Sequence, residues 1–468
     1  MKHARWRPSH GRLRKEHDPL GPVEVPTDAW YGAQTQRAIE NFPISGRRAK
    51  DELILALLQV KRAAALANRE AGKIDAKRSD LILRAIDELS KGWVDRWDAL
   101  FPVDPFQAGA GTSQNMNLNE VIANVANTIA GSSRGRWQPV HPNDHVNASQ
   151  STNDVYPTAL RIALLGSSRQ LLASLHGLSE TLLRHAESWQ GLLKSGRTHL
   201  QDAVPVRLGH EFAAYSRAIT RCTRWIEAGR NGLRELGIGG SAVGNGINVP
   251  MGYAEFCAVE LARVTGETLH SAEDLSYVMQ SQAVISMYMS SLRGLAIELT
   301  RICNDLRLMS SGPMNGLGEI LLPAVQPGSS IMPGKVNPSI LEMVNQVCFS
   351  VQGHDHTVAL AAQAGQLELN VMMPVMAESS LEATRILASA VKVLDLRCVR
   401  GILPNEERLK HSFENTAQVA TALTPHLGYE KVTELVNEAI SKGRSVLDVA
   451  REKKLVSEED VIHIRSRF

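Results

Sequence analysis

Residues 208–236 read LGHEFAAYSRAITRCTRWIEAGRNGLREL, and their apolar side chains recur at steps of four and three, with only Gly229 interrupting. A seam of this period, sustained over about 30 residues, predicts a long helix that packs lengthwise against others, as in a bundle. At a rise of ~1.5 Å per residue the helix would be about 45 Å long. The apolar positions are Leu208, Phe212, Tyr215, Ile219, Cys222, Ile226, Leu233 and Leu236.

Residues 171–182 and 285–306 have the same helical period, whereas the alternating pattern of a strand is hard to find. Aromatic residues make up only 5% of the chain. We therefore predict an all-α fold. Long, largely apolar helices in a chain that stays in solution also predict a bundle shared between subunits, and hence an oligomer.

Breaks in the pattern predict three regions. Gly312-Pro313 ends one long helix, and GILP at residues 401–404 breaks another. The chain after this break is more charged, which is typical of a small helical domain. We expect an N-terminal helical domain at residues 1–152, a central long-helix domain at 153–405 and a small C-terminal domain at 406–468.

The composition excludes several classes of protein. A net charge of +2 gives no reason to expect nucleic acid or a membrane surface as a partner. Five scattered cysteines without CxxC spacing predict reduced, mostly buried thiols. No apolar stretch is long enough to span a bilayer. The start, MKHARWRPSHGRLRK, has no apolar core of a signal peptide, so we interpret it as a disordered basic arm rather than a transit peptide and expect a cytoplasmic protein.

Four polar segments each precede a predicted helix. They are GTS at residues 111–113, STND at 151–154, RTH at 197–199 ahead of Pro205 and the 206–236 helix, and KVN at 335–337 ahead of Pro338. Any one of them alone is explained by ordinary helix capping. Each, however, offers two or three polar side chains where a cap needs one. Helix N-termini attract carboxylates, so convergence of these segments would create a site for a small dianion, with Lys335 adding a positive charge.

The loop at residues 328–337, GSSIMPGKVN, superficially resembles a phosphate-binding P-loop. Five residues rather than four separate Gly328 from Gly334, and Val336 stands where Ser or Thr would bind magnesium. Residues 237–242, GIGGSA, loosely match a dinucleotide motif but follow a long helix instead of a strand. No HExxH motif is present, and His199 is as consistent with a structural role as with a functional one. We predict no metal and no cofactor.

The same loop resembles the signature of the fumarase/aspartase superfamily, a highly specific motif. Four other blocks follow in the family's order: GAGTSQNMNLNEV, NDHVNASQSTNDVYPT, GRTHLQDAVP and GQLELNV. The resemblance covers nearly the whole chain. It implies a protomer of three all-α domains, a homotetramer with a central core of twenty helices, five from each subunit, and active sites built from three subunits.

Within the family the blocks GTSQNMN and STND, with MVNQVCF and NVM, resemble the aspartase branch. This implies a carbon–nitrogen lyase that reversibly converts L-aspartate to fumarate and ammonia through an aci-carboxylate intermediate. Met373 departs from the glutamate usual in that branch, and the chain lacks the usual C-terminal tail. The alternatives are fumarate hydratase, which would form L-malate, and a catalytically silent structural member, although the motif residues are all present.

Roles carried over from the family assign a function to each candidate residue. Ser329 would be the general base, activated by nearby N–H groups and by Lys335. The carboxylate that becomes the aci-form would be bound by Thr198, His199, Ser151 and Thr152. Lys335 and Asn337 would hold the other carboxylate, Thr112 and Asn153 the amino group, and Ser330 would contact substrate. Glu342 resembles the carboxylate that pairs with the active-site histidine.

Overall fold

The computed structural model describes residues 12–457 and 459–461. Most of the predicted basic arm lies outside the described residues, but Leu13–Asp18 forms a strand rather than a disordered segment. In chain order the helices are α1 Ala33–Asn41, α2 Asp51–Glu70, α3 Ala76–Asp87, α4 Trp97–Leu100, α5 Thr112–Ile129, α6 Thr152–Ser188, α7 Leu208–Gly232, α8 Tyr253–Thr265, α9 Leu275–Gln280, α10 Ala283–Met309, α11 Ser339–Gln363, α12 Met373–Arg397, α13 Glu406–Asn415, α14 Thr424–Leu427, α15 Tyr429–Lys442 and α16 Val446–Glu452.

Short strands pair two by two in the described chain, which the search for alternating patterns missed. The pairs are β1 Leu13–Asp18 with β2 Gly21–Pro26, β3 Leu193–Thr198 with β4 Gln201–Arg207, β5 Glu235–Leu236 with β6 His270–Ser271, and β7 Ile320–Leu321 with β8 Leu403–Pro404. Such short pairs leave the fold helical, so the all-α prediction is confirmed.

Five long helices, α6, α7, α10, α11 and α12, confirm the predicted bundle elements. They contain 37, 25, 27, 25 and 25 residues. All the apolar positions of the seam quoted above are buried. The seam residues of the 285–306 pattern are buried as well, namely Ile285, Tyr288, Leu292, Leu295, Leu299, Ile302 and Leu306. Two details differ. The helix α7 ends at Gly232 rather than near residue 236, and α6 begins at Thr152, which places Pro157 inside its first two turns.

The described chain divides into two compact units. Unit 1 contains the described residues up to Leu171, with Trp225–Arg293 and Ser350–Ile386; unit 2 contains Leu172–Arg224, Gly294–Phe349 and the described residues from Leu387 onward. Each long helix contributes residues to both. The three-domain division at residues 152 and 405 remains a prediction.

Helix α5 organises the loops of unit 1 through buried polar side chains. Asn117 donates to the Leu100 carbonyl at 2.9 Å, and Asn127 both donates to and accepts from the backbone of Val140. The Glu120 carboxylate accepts backbone N–H groups from the start of α1 and the Thr35 hydroxyl. Burial raises the pKa of Glu120 to about 7, and these donors oppose the shift. The loops around α5 are therefore held by side chains instead of a sheet.

Unit 2 has its own apolar core in the C-terminal segment, built from α13, α15, α16 and the turn at Ala417–Leu423. None of the five cysteines, which all lie in the described chain, forms a disulfide, and all five are buried, as predicted from their spacing. None of the described helices is long and apolar enough to cross a membrane.

Candidate active site

The first group of candidate residues lies in unit 1, at the starts of α5 and α6. Thr112 is the exposed first residue of α5, and Thr152 is the buried first residue of α6. Asn115, one turn into α5, donates from Nδ2 to the Thr152 hydroxyl oxygen at 3.1 Å, which joins the two helix starts. The dipoles of both helices give their N-terminal ends a partial positive charge, which suits a carboxylate.

Ser151 and Asn153 flank Thr152 and are half-buried. The Ser151 hydroxyl accepts the N–H of Asn153 at 3.2 Å, and the Asn153 amide donates to the Ala242 carbonyl at 2.9 Å. The STND segment is thus tied to the loop that follows β5. Three polar side chains of this segment remain within one helical turn, as the capping argument anticipated.

Asp154, the last residue of the STND segment, holds this segment and the loop after β5 together. Its Oδ1 accepts the N–H of Ser151 at 3.0 Å, and its Oδ2 accepts the N–H groups of Gly239 and Ser241 at 3.1 and 3.0 Å. Burial raises the pKa of Asp154 to about 7, while these N–H groups and the nearby Lys61 charge oppose the shift. The carboxylate therefore locks together the two loops that carry Ser151 and residues 239–242.

We predict that Asp154→Asn lowers the free energy of unfolding by about 1–3 kcal/mol, because an amide group must turn its NH2 toward one of these N–H donors. Chemical denaturation at pH 8, where the native carboxylate is ionised, measures the change. Asp144→Asn, in the preceding helical turn Pro142–Val146, is the matched control. The Asp144 carboxylate is exposed, so this substitution should change the free energy of unfolding by less than about 0.5 kcal/mol. Equal losses in both variants would contradict the anchoring role.

The second group lies in unit 2, where β3 and β4 form a hairpin with Thr198 at its end. His199 and Leu200 make the two-residue turn with φ of 55° and 60°. Both angles are positive, as in a type I′ turn, which is strained for residues other than glycine, asparagine and aspartate. The prediction that Arg197–His199 leads directly into a helix is therefore wrong: Pro205 lies within β4, and α7 begins at Leu208.

Buried charges fix this hairpin. The Lys194 ammonium of β3 lies 2.6 Å from the Glu319 carboxylate and 3.1 Å from that of Glu211. Arg197 contacts the other oxygen of Glu319 at 2.6 Å. Glu319 is only 1% exposed, and each of its carboxylate oxygens is paired with a cation of β3. Thr198 and His199 are exposed beyond this cluster, and no described side chain hydrogen-bonds the His199 ring.

The loop at residues 328–337, also in unit 2, is closed at its base. The N–H of Gly328 donates to the Lys335 carbonyl at 2.8 Å, and the Asn337 side chain donates to the Gly328 carbonyl at 2.7 Å. The Ser329 hydroxyl oxygen accepts the N–H groups of Ile331 at 3.2 Å and Met332 at 3.1 Å. Two N–H donors on one hydroxyl oxygen favour its ionised form, which is what a serine base requires.

A cleft of about 600 Å³ lies along this loop and is lined by Ser329 and Lys335 together with apolar side chains of residues 324–336. Ser330 and Lys335 are exposed, and α11 begins at Ser339 after Pro338, as predicted. Glu342 lies in the first turn of α11, and its ion-pair partner within the described chain is Arg307 at 3.9 Å. Its pairing with a histidine remains a prediction.

Comparison with known proteins agrees with this architecture. A family model described as "Lyase" matches residues 21–353, and one described as "Fumarase C C-terminus" matches residues 419–465. The chain belongs to the fumarase/aspartase superfamily of lyases. An aspartate ammonia-lyase from Bacillus sp is 45% identical, with 97% of each chain covered. A class II fumarate hydratase from Corynebacterium efficiens is 44% identical over 93% of this chain and 90% of its own.

Solved structures of this superfamily have the same fold. The fumarate lyase:delta crystallin of Brucella melitensis has a TM-score of 0.92 at 43% identity, and the match covers 97% of this chain and 98% of that chain.

Among the described residues, no group of three or more His, Cys, Asp or Glu side chains is placed to hold a metal ion. Sequence reasoning missed Lys61, Asn147 and Asn115, whose hydrogen bonds lead to Thr152, and the Lys194–Glu319 cluster. A charged residue inside an apolar run, as in LALLQVKRAAALA, is the signal that could have identified Lys61.

Proposed function

We propose that this chain is an aspartate ammonia-lyase that converts L-aspartate reversibly to fumarate and ammonia. The observation that carries the reaction type is the Ser329 hydroxyl, which accepts two backbone N–H groups in a loop that also carries Lys335. The choice of ammonia as leaving group is supported by the blocks GTSQNMN and STND and by relatives named aspartate ammonia-lyase at about 45% identity.

In the proposed mechanism the Ser329 alkoxide removes a proton from the carbon that bears the side-chain carboxylate. The electron pair of that C–H bond moves into the carboxylate and forms the doubly charged aci-carboxylate. Thr152, Ser151, Thr198 and His199 donate to its oxygens, since preorganised donors stabilise charge that develops during the reaction. The C–N bond then breaks as the double bond forms, and ammonia leaves beside Thr112 and Asn153. Lys335 and Asn337 hold the second carboxylate throughout.

We also propose the homotetramer, with each active site shared between subunits. The proposal of a tetramer is supported by large apolar side chains that are exposed on the unit 2 segments of the long helices. Ile297 and Leu308 of α10 are eleven residues apart, hence on one helix face, and are 52% and 41% exposed. Phe349 of α11 is 59% exposed. Large apolar groups on this scale along long helices are typical of a subunit interface.

Fumarate hydratase is the second candidate, favoured by the relative from Corynebacterium efficiens at 44% identity. It would use the same proton transfer and expel water in place of ammonia. Addition of L-aspartate or L-malate to the purified chain, with fumarate followed by its absorbance, tests the two. We expect fumarate from L-aspartate; fumarate from L-malate alone would replace the proposal by the hydratase.

A further inference from the structure

Lys61 is a buried lysine in the middle of α2 that forms no ion pair with any described residue. It is 0% exposed, and its Nζ donates to the side-chain oxygens of Asn147 at 3.0 Å and Gln150 at 2.9 Å. Burial lowers its pKa to about 7, and the charge of Asp154 opposes the shift. Burial of an ammonium that is paired only with amide oxygens lowers the stability of the folded state, and a methionine would fill the same space without this loss. The charge therefore requires a reason other than packing.

Asn147 is the point where the neighbouring side chains meet. Its Oδ1 accepts from Lys61, from Asn115 Nδ2 at 3.2 Å and from Asn119 Nδ2 at 3.1 Å. Its own Nδ2 donates to the Gln150 carbonyl at 3.2 Å. A lysine ammonium can only donate, so it requires the oxygen of Asn147 to face it. The Lys61 ammonium and the Gln150 carbonyl together fix this orientation of the Asn147 amide.

The orientation of the Asn147 amide also determines how Asn115 and Thr152 are hydrogen-bonded. Because Asn147 presents oxygen, Asn115 must present its NH2 group, and the second hydrogen of that group points to the Thr152 hydroxyl oxygen. A hydroxyl that accepts from Asn115 keeps its single hydrogen for another acceptor. The reverse orientation of Asn115 would accept that hydrogen instead. The amide oxygens of Asn115 and Asn119 have no partner among the described residues, so this orientation does not maximise internal hydrogen bonding.

We propose that Lys61 is a positioning residue whose ammonium orients the amides of Asn147 and Asn115 so that the Thr152 hydroxyl donates to the substrate carboxylate. The inference rests on the proposed function, in which Thr152 binds the carboxylate that becomes the aci-form. Lys61 acts through two side chains and contacts no reacting atom.

Lys61→Met, measured alone and in a Thr152→Val background, tests the proposal. Thr152→Val should lower kcat/KM about 10- to 100-fold through loss of a hydrogen bond to a charged group. Lys61→Met should cause a similar loss while its melting temperature stays equal to or above that of the parent, because it removes a buried charge. In the Thr152→Val background it should cost less than about 3-fold more, because the hydroxyl it orients is already absent.

Asn119→Ala is the matched control, since Asn119 donates to the same oxygen of Asn147 but forms no hydrogen bond with Thr152. Its effect should be the same factor in both backgrounds. If Lys61→Met fails to fold, Lys61→Gln replaces it; glutamine can donate or accept, so a smaller loss is expected that also disappears with Thr152→Val. Near-parental activity of Lys61→Met, or a full loss that persists in the Thr152→Val background, would overturn the proposal. An unmodified chain inactive on L-aspartate and on L-malate would instead refute the proposed function.

Discussion

Replacement of Ser329 by alanine is expected to lower turnover of L-aspartate by at least about 10²-fold while the fold and the proposed tetramer persist. The hydroxyl oxygen accepts the N–H groups of Ile331 and Met332, which favours the ionised form that the proposed proton transfer requires. Both N–H groups lie on an exposed loop, so water replaces the lost acceptor at little cost in stability. Steady-state kinetics, thermal unfolding and the molar mass in solution measure the three quantities.

Ser330→Ala is the comparison for that variant. Ser330 is the exposed neighbour on the same loop and is assigned to substrate contact rather than proton transfer. Its replacement should raise KM by less than about 10-fold and change kcat little. Equal kcat for Ser329→Ala and the parent would remove Ser329 as the base.

Gly328→Ala is expected to have the second-largest effect, because it opens the base of the loop. A Cβ at this position would lie 2.6 Å from the Lys335 carbonyl oxygen and 2.7 Å from the Asn337 nitrogen. Those backbone atoms cannot move without breaking the Gly328–Lys335 hydrogen bond, which sets the spacing of Ser329, Lys335 and Asn337. Because a displacement of about 1 Å can cost 10²-fold in rate, we expect a loss of about that size in kcat.

Gly334→Ala controls for the general effect of an added methyl group. Gly334 has φ of 78°, and a Cβ there meets nothing within 4 Å. Its replacement introduces about 1–2 kcal/mol of backbone strain but no collision. We expect it to retain at least about ten times the kcat of Gly328→Ala. The opposite order would show that backbone freedom, not closure of the loop base, is what the loop requires.

The long helices were predictable because their signal is local and repeated. Leu208, Phe212 and Tyr215 already define the period, and each later apolar residue adds to it. The hairpin of β3 and β4 lacked such a signal. Its turn uses His199 and Leu200 in place of asparagine or glycine, and the burial of Lys194 depends on Glu319, distant in sequence. A contact between residues so far apart in the sequence cannot be recognised from a local sequence pattern.

The candidate site was predictable to the extent that it lies in contiguous motifs. Ser329, Lys335 and Asn337 belong to one loop, and Ser151, Thr152 and Asn153 to one helix start, so a motif names them together. The side chains that orient them come from elsewhere. Lys61 belongs to α2 and Asn115 to α5, and only folding brings their side chains to Asn147.

Met373, the residue that departs from the glutamate usual in the aspartase branch, is buried at the start of α12. Its N–H donates to the Gly109 carbonyl at 3.1 Å.

The requirement for ammonium distinguishes the two candidate activities, aspartate ammonia-lyase and fumarate hydratase. Purified chain is incubated with fumarate in the presence and absence of ammonium, the double-bond absorbance is followed, and the product is identified by NMR. We predict consumption of fumarate only with ammonium, with L-aspartate as product. Consumption without ammonium to give L-malate would contradict the assignment as an aspartate ammonia-lyase.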